Sequence, residues 1–128
     1  MVTKMEDQMA KKLNAEEEMI VDYFKELNIK RTIALLLVAL ARRGELSSRE
    51  IENITGLRQP EVSSTMRYLR KKDWVSTRDK KDNEGKGRPY HLYKLKPTLR
   101  EIVDIQEKRI LKQNQKDLDC IKKLKLIV

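Results

Sequence analysis

The residues best equipped for chemistry lie together in Arg58-Gln59-Pro60-Glu61-Val62-Ser63-Ser64-Thr65-Met66-Arg67-Tyr68-Leu69. Val62, Met66 and Leu69 are spaced i, i+4 and i+7, which predicts a helix of about residues 59–72 with those three inward. The same helix turns Pro60, Ser64, Arg67, Tyr68 and Lys71 outward, with Glu61 and Ser63 at their flanks. Gln59, Ser63, Ser64 and Arg67 carry the donors and acceptors that read base edges in a duplex, and Glu61 suits the N4 amine of cytosine. Arg58, Arg70 and Lys71 suit phosphate oxygens. A second cationic set, Lys80, Lys81, Lys86 and Arg88, occupies a polar stretch of residues 79–88 that holds Gly85 and Gly87. A guanidinium beside glycines fits a narrow minor groove, and the lysines would follow phosphates. Asp79, Asp82 and Glu84 in that stretch oppose the attraction.

Other chemistries are poorly supplied. There are no paired carboxylates in an apolar setting, no Ser/His/Asp set and no phosphate-cradling glycine loop, so no catalytic residues are expected. One cysteine (Cys120) and one histidine (His91) are too few for a transition-metal site, and no cofactor is implied. Cys120 reads as a small apolar filler or an unpaired surface thiol, and His91 as a structural strand residue.

The 128 residues carry 29 Lys+Arg against 20 Asp+Glu, a net charge of +9. That charge is uneven. Residues 1–30 hold 5 basic and 7 acidic side chains, whereas residues 74–96 hold 7 and 3. A basic excess placed away from the N-terminus is the footprint of a polyanion-binding surface. The longest apolar run, Ile33 to Ala41, is far short of the roughly 20 residues that span a bilayer. Residues 1–18 have no apolar centre of a signal peptide, so a cytoplasmic protein without a membrane partner is expected.

The elements that must hold these residues follow from spacing. Residues 1–15 are polar and aperiodic and read as a flexible N-terminus. Residues 16–27 predict a helix whose apolar face is Met19, Ile20, Tyr23, Phe24 and Leu27, opposite Glu17, Glu18, Asp22 and Lys25. Asn28 reads as a break or as the N-cap of the next helix. Residues 30–43 are apolar nearly all round, ending in Arg42-Arg43-Gly44, and predict the central buried helix. Ser47 with Glu50 is a capping box that opens a short helix ending at Gly56, with Ile51 and Ile54 inward and Leu57 closing the turn. After Asp73 the period becomes extended: residues 74–78 and 89–95 predict a two-stranded hairpin with a charged tip, resting on the helices. The fold class is mainly α with a small β-hairpin, a winged helix-turn-helix with terminal helices, in which the second helix of the unit can enter a major groove.

Residues 57–69 resemble the recognition helix of ArsR- and MarR-like winged-helix regulators, which show a Gln-x-x-Val-Ser core followed by a hydrophobic pair. Lys72-Asp73-Trp74-Val75 is similar to the family's turn into the wing, with Asp-Trp where Gly-Leu is common. Gly85-Lys86-Gly87-Arg88-Pro89-Tyr90 resembles the Gly-Arg-Pro wing motif of archaeal members. The resemblance covers residues 30–96 and implies a homodimer on a palindromic operator, with Gln59, Ser63, Ser64 and Arg67 on the DNA and the wing of residues 78–89 at the minor groove. The Cys-x-Cys metal-sensing motif of many ArsR members is missing, since residues 46–55 contain neither cysteine nor histidine.

Pro97 precedes a long helical segment from Thr98 to about Lys125. Leu99, Ile102, Val103, Ile110, Leu118, Ile121 and Leu124 fall near one face, interrupted by Gln106, Gln113 and Asn114. Such a stripe needs a second surface, most simply the same helix of another subunit, with the amides setting register. The expected organisation is therefore a winged-helix DNA-binding domain over 16–96 and a dimerisation helix over 97–128. The expected function is sequence-specific binding of double-stranded DNA by a homodimeric transcriptional regulator. A winged-helix protein-interaction module and a low-specificity chromatin-binding protein remain alternatives, and nothing points to a small-molecule effector.

Overall fold

A continuous apolar run in Arg31–Arg43 makes helix α2 the centre of the fold, with all residues from Ala34 to Leu40 buried. The computed structural model describes residues 12–80 and 90–128. The chain divides into two compact units, residues 1–97 and residues 98–128. In the first, α1 (Ala15–Glu26) precedes α2, followed by β1 (Leu46–Ser47), α3 (Ser48–Thr55), α4 (Gln59–Lys71), β2 (Val75–Lys80) and β3 (Tyr90–Leu95). Helix α2 contacts α1, α3, α4 and β3. The second unit is α5 (Leu99–Ile127).

Local chemistry sets the ends of these helices. Asn14 caps α1: its side chain accepts from the Glu17 N–H at 2.8 Å, and Glu17 accepts from the Asn14 N–H at 2.9 Å. The Ser47–Glu50 capping box expected from sequence opens α3 in the same reciprocal way. Gly56 then ends α3 at φ +77°, a left-handed conformation that glycine takes without a Cβ penalty. Thr55 ties the turn to α3, donating to the Ile51 carbonyl at 2.7 Å and accepting from the Leu57 N–H.

Two helices end on non-glycine residues in left-handed conformation, Asn28 (φ 65°) and Asp73 (φ 62°). After α1 the Ile29 N–H bonds the Phe24 carbonyl and the Asn28 N–H bonds that of Lys25; after α4 Trp74 bonds Leu69 and Asp73 bonds Arg70. Both are the paired bonds of a Schellman ending. Asn28 therefore closes α1 and is not the N-cap of α2, which is Lys30. Asp73 sits where the related turns carry glycine, and its carboxylate binds Lys96 at 2.7 Å.

Two expectations are corrected. The buried face of α1 is Glu17, Val21 and Phe24, while Met19 and Tyr23 point to solvent at 55% and 63% exposure. Glu17 wins the inward face because it binds Arg43 of α2 at 2.8 Å, a long-range ion pair that compensates its desolvation. The sheet has three strands, not two, in the order β1-β3-β2, all antiparallel. Leu46 and Ser47 pair with Tyr93 and Leu92, so β1 fastens the hairpin to the start of α3. In the other pairing Val75 faces Leu95 and Lys80 faces Tyr90.

Candidate nucleic-acid interface

Helix α4 is anchored from below and open above. Val62, Thr65, Met66 and Leu69 are buried on a helix that packs against α3, whose Ile51 and Ile54 are also buried. Fixing that inner stripe fixes the outer one. Arg58, Gln59, Glu61, Ser64, Arg67, Tyr68 and Lys71 are exposed, and Ser63 is half-buried. Among the described residues Arg67 and Lys71 have no hydrogen-bond or ion-pair partner, so both cations are available to a polyanion.

Several neighbours are already engaged. Glu61 accepts from the Arg58 N–H at 3.1 Å, closing the first turn of its own helix. Gln59 Nε2 donates to Ser63 Oγ at 2.8 Å, and Ser64 Oγ donates to the Glu61 carbonyl at 3.3 Å. Each hydroxyl and amide keeps further hydrogen-bonding capacity. At the other end of α4, the Lys72 ammonium lies over both the Tyr68 and Trp74 rings, 5.5 and 4.8 Å from their centroids. Tyr68 is thus half of a cation–π clamp. Arg70 lies 5.9 Å from the Tyr93 ring centroid, which tilts it toward the sheet.

Between α3, α4 and the sheet runs an open cleft of about 1220 Å³. Arg49, Gln59, Ser63, Arg70, Arg78, Lys80 and Tyr90 line it, together with Glu45, Glu50 and Glu52. Glu50 is committed to the α3 cap. Glu45 is gripped by Arg78 through two bonds of 2.6 and 2.7 Å. The Arg78 hydrogen bond holds the Glu45 carboxyl below its ordinary range, and the same bond pushes the Arg78 guanidinium up. Helical spacing does not single out Arg49 or Arg78. The alternation that places Arg78 and Lys80 on one face of β2 is the signal that could have found Arg78.

His91 is a strand residue of β3 as expected, exposed, with Nδ1 2.7 Å from Asp79 on the facing strand. Lys80 is exposed at the end of β2. Lys81, Lys86 and Arg88 lie outside the described residues. Cys120 is exposed on α5, a surface thiol and not a filler. Among the described residues no group of three or more His, Cys, Asp or Glu side chains is placed to hold a metal ion, and no helix is long and apolar enough to cross a membrane.

A short helix, a left-handed glycine turn, an exposed second helix and a β-hairpin make up this face, and residues 27–88 match the MarR family model. The fold is a winged helix-turn-helix, and residues 27–88, just under half of the chain, are similar to the MarR family. Solved structures share this fold. TrmBL2, an archaeal chromatin protein whose structure shows a novel mode of DNA binding, is similar at a TM-score of 0.63 and 19% identity. The match covers 86% of this chain and 39% of TrmBL2, so the chain spans well under half of that protein. A possible transcriptional regulator from Methanosarcina mazei Go1 is similar at a TM-score of 0.57 and 14% identity, covering 76% of this chain and 80% of its own. A further transcriptional regulator gives 0.53 and 18%, covering 80% and 68%. No curated protein matches the chain in sequence.

On α5, Ile102 and Gln106 are buried, whereas Val103, Leu118, Ile121 and Leu124 are exposed and Leu99 and Ile110 are half-buried. The face expected to meet a partner is therefore most open over its C-terminal half, at Leu118, Ile121 and Leu124.

Proposed function

We propose that this MarR-like chain is a DNA-binding transcriptional regulator that works as a homodimer, with α4 in the major groove and the hairpin at the adjacent minor groove. The observation that carries the reading is the exposed cationic face of α4. Arg67 and Lys71 stand without partners, among the described residues, on a helix whose opposite side is locked into the core. Arg67 is the base reader, able to make a bidentate contact to guanine O6 and N7. Gln59, Ser63 and Ser64 support it, and Arg58, Lys71 and Lys80 hold phosphates. Lys81, Lys86 and Arg88, outside the described residues, are assigned the same role from their charge in the sequence. The seam between subunits is drawn from Leu99, Val103, Ile110, Leu118 and Ile121 on α5. A DNA partner fits a cytoplasmic protein.

The reading is tested by fluorescence anisotropy with a labelled duplex selected for binding and a random-sequence duplex. Arg67→Ala should lose the difference between the two, by about 1–3 kcal/mol for one bidentate contact. Equal losses on both duplexes would remove the base-reading role.

A second reading, sequence-independent packaging of DNA, is favoured by one observation. Gln59, Glu61 and Ser63 spend hydrogen bonds within α4, which leaves Arg67 with little help in discriminating bases. Phosphate contacts alone give affinity without discrimination.

A further inference from the structure

Helix α5 carries a cationic face that the reading of α4 does not use. At 3.6 residues per turn, Lys108, Lys112, Lys116 and Lys123 fall within about 80° of one another around the helix axis. They lie opposite the stripe of Val103, Ile110, Ile121 and Leu124. All four lysines are exposed. Among the described residues none of the four has a hydrogen-bond or ion-pair partner.

Acids that would ordinarily neutralise such a face are occupied. Asp104, four residues before Lys108, pairs with Arg100 at 3.6 Å, and Asp119, between Lys116 and Lys123, accepts from Gln115 Nε2 at 3.0 Å. An i, i+4 acid–lysine pair is the ordinary way to settle charge on a solvated helix. Here a guanidinium engages Asp104 and an amide engages Asp119, and the four ammonium groups have no ion-pair partner among the described residues. Asp119 is the single acid within the face, between Lys116 and Lys123.

We propose that this lysine face of α5 is a second, sequence-independent binding surface for the phosphates of duplex DNA. From Lys108 to Lys123 the helix rises roughly 22 Å, at about 1.5 Å per residue. One DNA strand presents a phosphate about every 3.4 Å along its axis, so the face runs past about six of them. Lysine suits that task because an ammonium binds phosphate as a point charge and needs no planar fit. The face is not built to read bases. Arg109 and Gln115, at its edges, are engaged with Gln106 and Asp119. A chain so equipped holds DNA through α5 as well as α4, on the same duplex or on a second one. The inference rests on the DNA-binding reading of α4 and adds a surface to it.

The test uses the full chain and a random-sequence duplex, titrated over a range of salt. Lys112→Gln/Lys116→Gln/Lys123→Gln removes three charges and keeps good helix formers, so circular dichroism should be unchanged. The slope of log K against log salt should fall by about 2–3, since each neutralised phosphate adds about 0.9. A control, Lys12→Gln/Lys25→Gln/Lys30→Gln, removes the same net charge elsewhere and should change the slope by less than about one. Equal slopes for the α5 variant and wild type would overturn the inference while leaving the α4 reading intact. Equal changes in variant and control would also overturn it, because net charge alone would then explain the loss. Failure of the wild type to bind duplex would instead remove the α4 reading. Loss of binding to phosphatidylserine vesicles with unchanged DNA binding would assign the face to an anionic membrane and overturn the proposal.

Discussion

Glu61 sits where a base reader was expected and is occupied as a helix cap, so its replacement separates the two roles. Its carboxylate accepts from the Arg58 N–H at 3.1 Å on an exposed first turn. It also lies at the positive end of the α4 dipole. Losing this single cap hydrogen bond costs about 0.5 kcal/mol, and losing a first-turn carboxylate costs a further ~0.3–1 kcal/mol. Glu61→Ala should therefore destabilise the protein by about 1 kcal/mol. With a urea slope of about 2 kcal/mol/M, the midpoint should fall by roughly 0.5 M. Glu61→Gln keeps an oxygen for the Arg58 N–H and should lose about half as much. Both changes remove a negative charge from a surface meant for phosphates, so affinity for random duplex should rise slightly. Urea melts followed by Trp74 fluorescence, paired with anisotropy on duplex DNA, measure both effects. Unchanged stability in Glu61→Ala, with discrimination lost at a single base pair, would refute the capping assignment.

The remaining predictions concern other parts of the fold. Gly44, at φ +83° and ψ −144°, occupies a region essentially reserved for glycine, so Gly44→Ala should cost about 2–3 kcal/mol; at Gly56 the αL conformation makes the cost about 1 kcal/mol, and urea melts should rank them in that order. Glu17→Ala should destabilise by about 1.5–3 kcal/mol in the same assay, because it removes a charge-assisted hydrogen bond from the part-buried Arg43. The depressed Glu45 carboxyl stabilises the fold above its ordinary value of 4.5, and this contribution is lost as the pH falls through the lower, folded value. Glu45→Gln should remove that part of the acid limb of a stability–pH curve. For the dimer, sedimentation of the full chain should give two subunits, and Ile121→Glu/Leu124→Glu should give one; an unchanged dimer would rule out the α5 seam.

Much of the scaffold is legible in the sequence because its signals are local. Ser47 with Glu50, Gly56, and the 62/66/69 spacing each act within one or two turns, and each sits where expected. What escapes depends on partners far along the chain. Spacing alone puts Phe24 inward correctly but adds Met19 and Tyr23, which are exposed, and misses Val21 and Glu17, which are buried. Glu17 is held by the Asn14 cap and by the Arg43 guanidinium, and the second of these lies 26 residues on. Strand β1 is two residues long, too short for any period, and exists because Tyr93 and Leu92 offer it an edge. The site shows the same division: exposure of Arg67 and Lys71 follows from helical spacing, whereas the Arg78–Glu45 grip joins residues 33 apart. The left-handed turns at Asn28 and Asp73 lie between, since both residue types tolerate that conformation without announcing it.

The most direct test of the central claim is selection of bound duplexes from a random-sequence pool by the full chain. A dimeric, base-reading protein should enrich a motif arranged as an inverted repeat, with half-sites about 34–36 Å apart. That motif should disappear with Arg67→Ala. A pool that stays unenriched while binding tightly would contradict sequence-specific regulation and leave only the phosphate contacts.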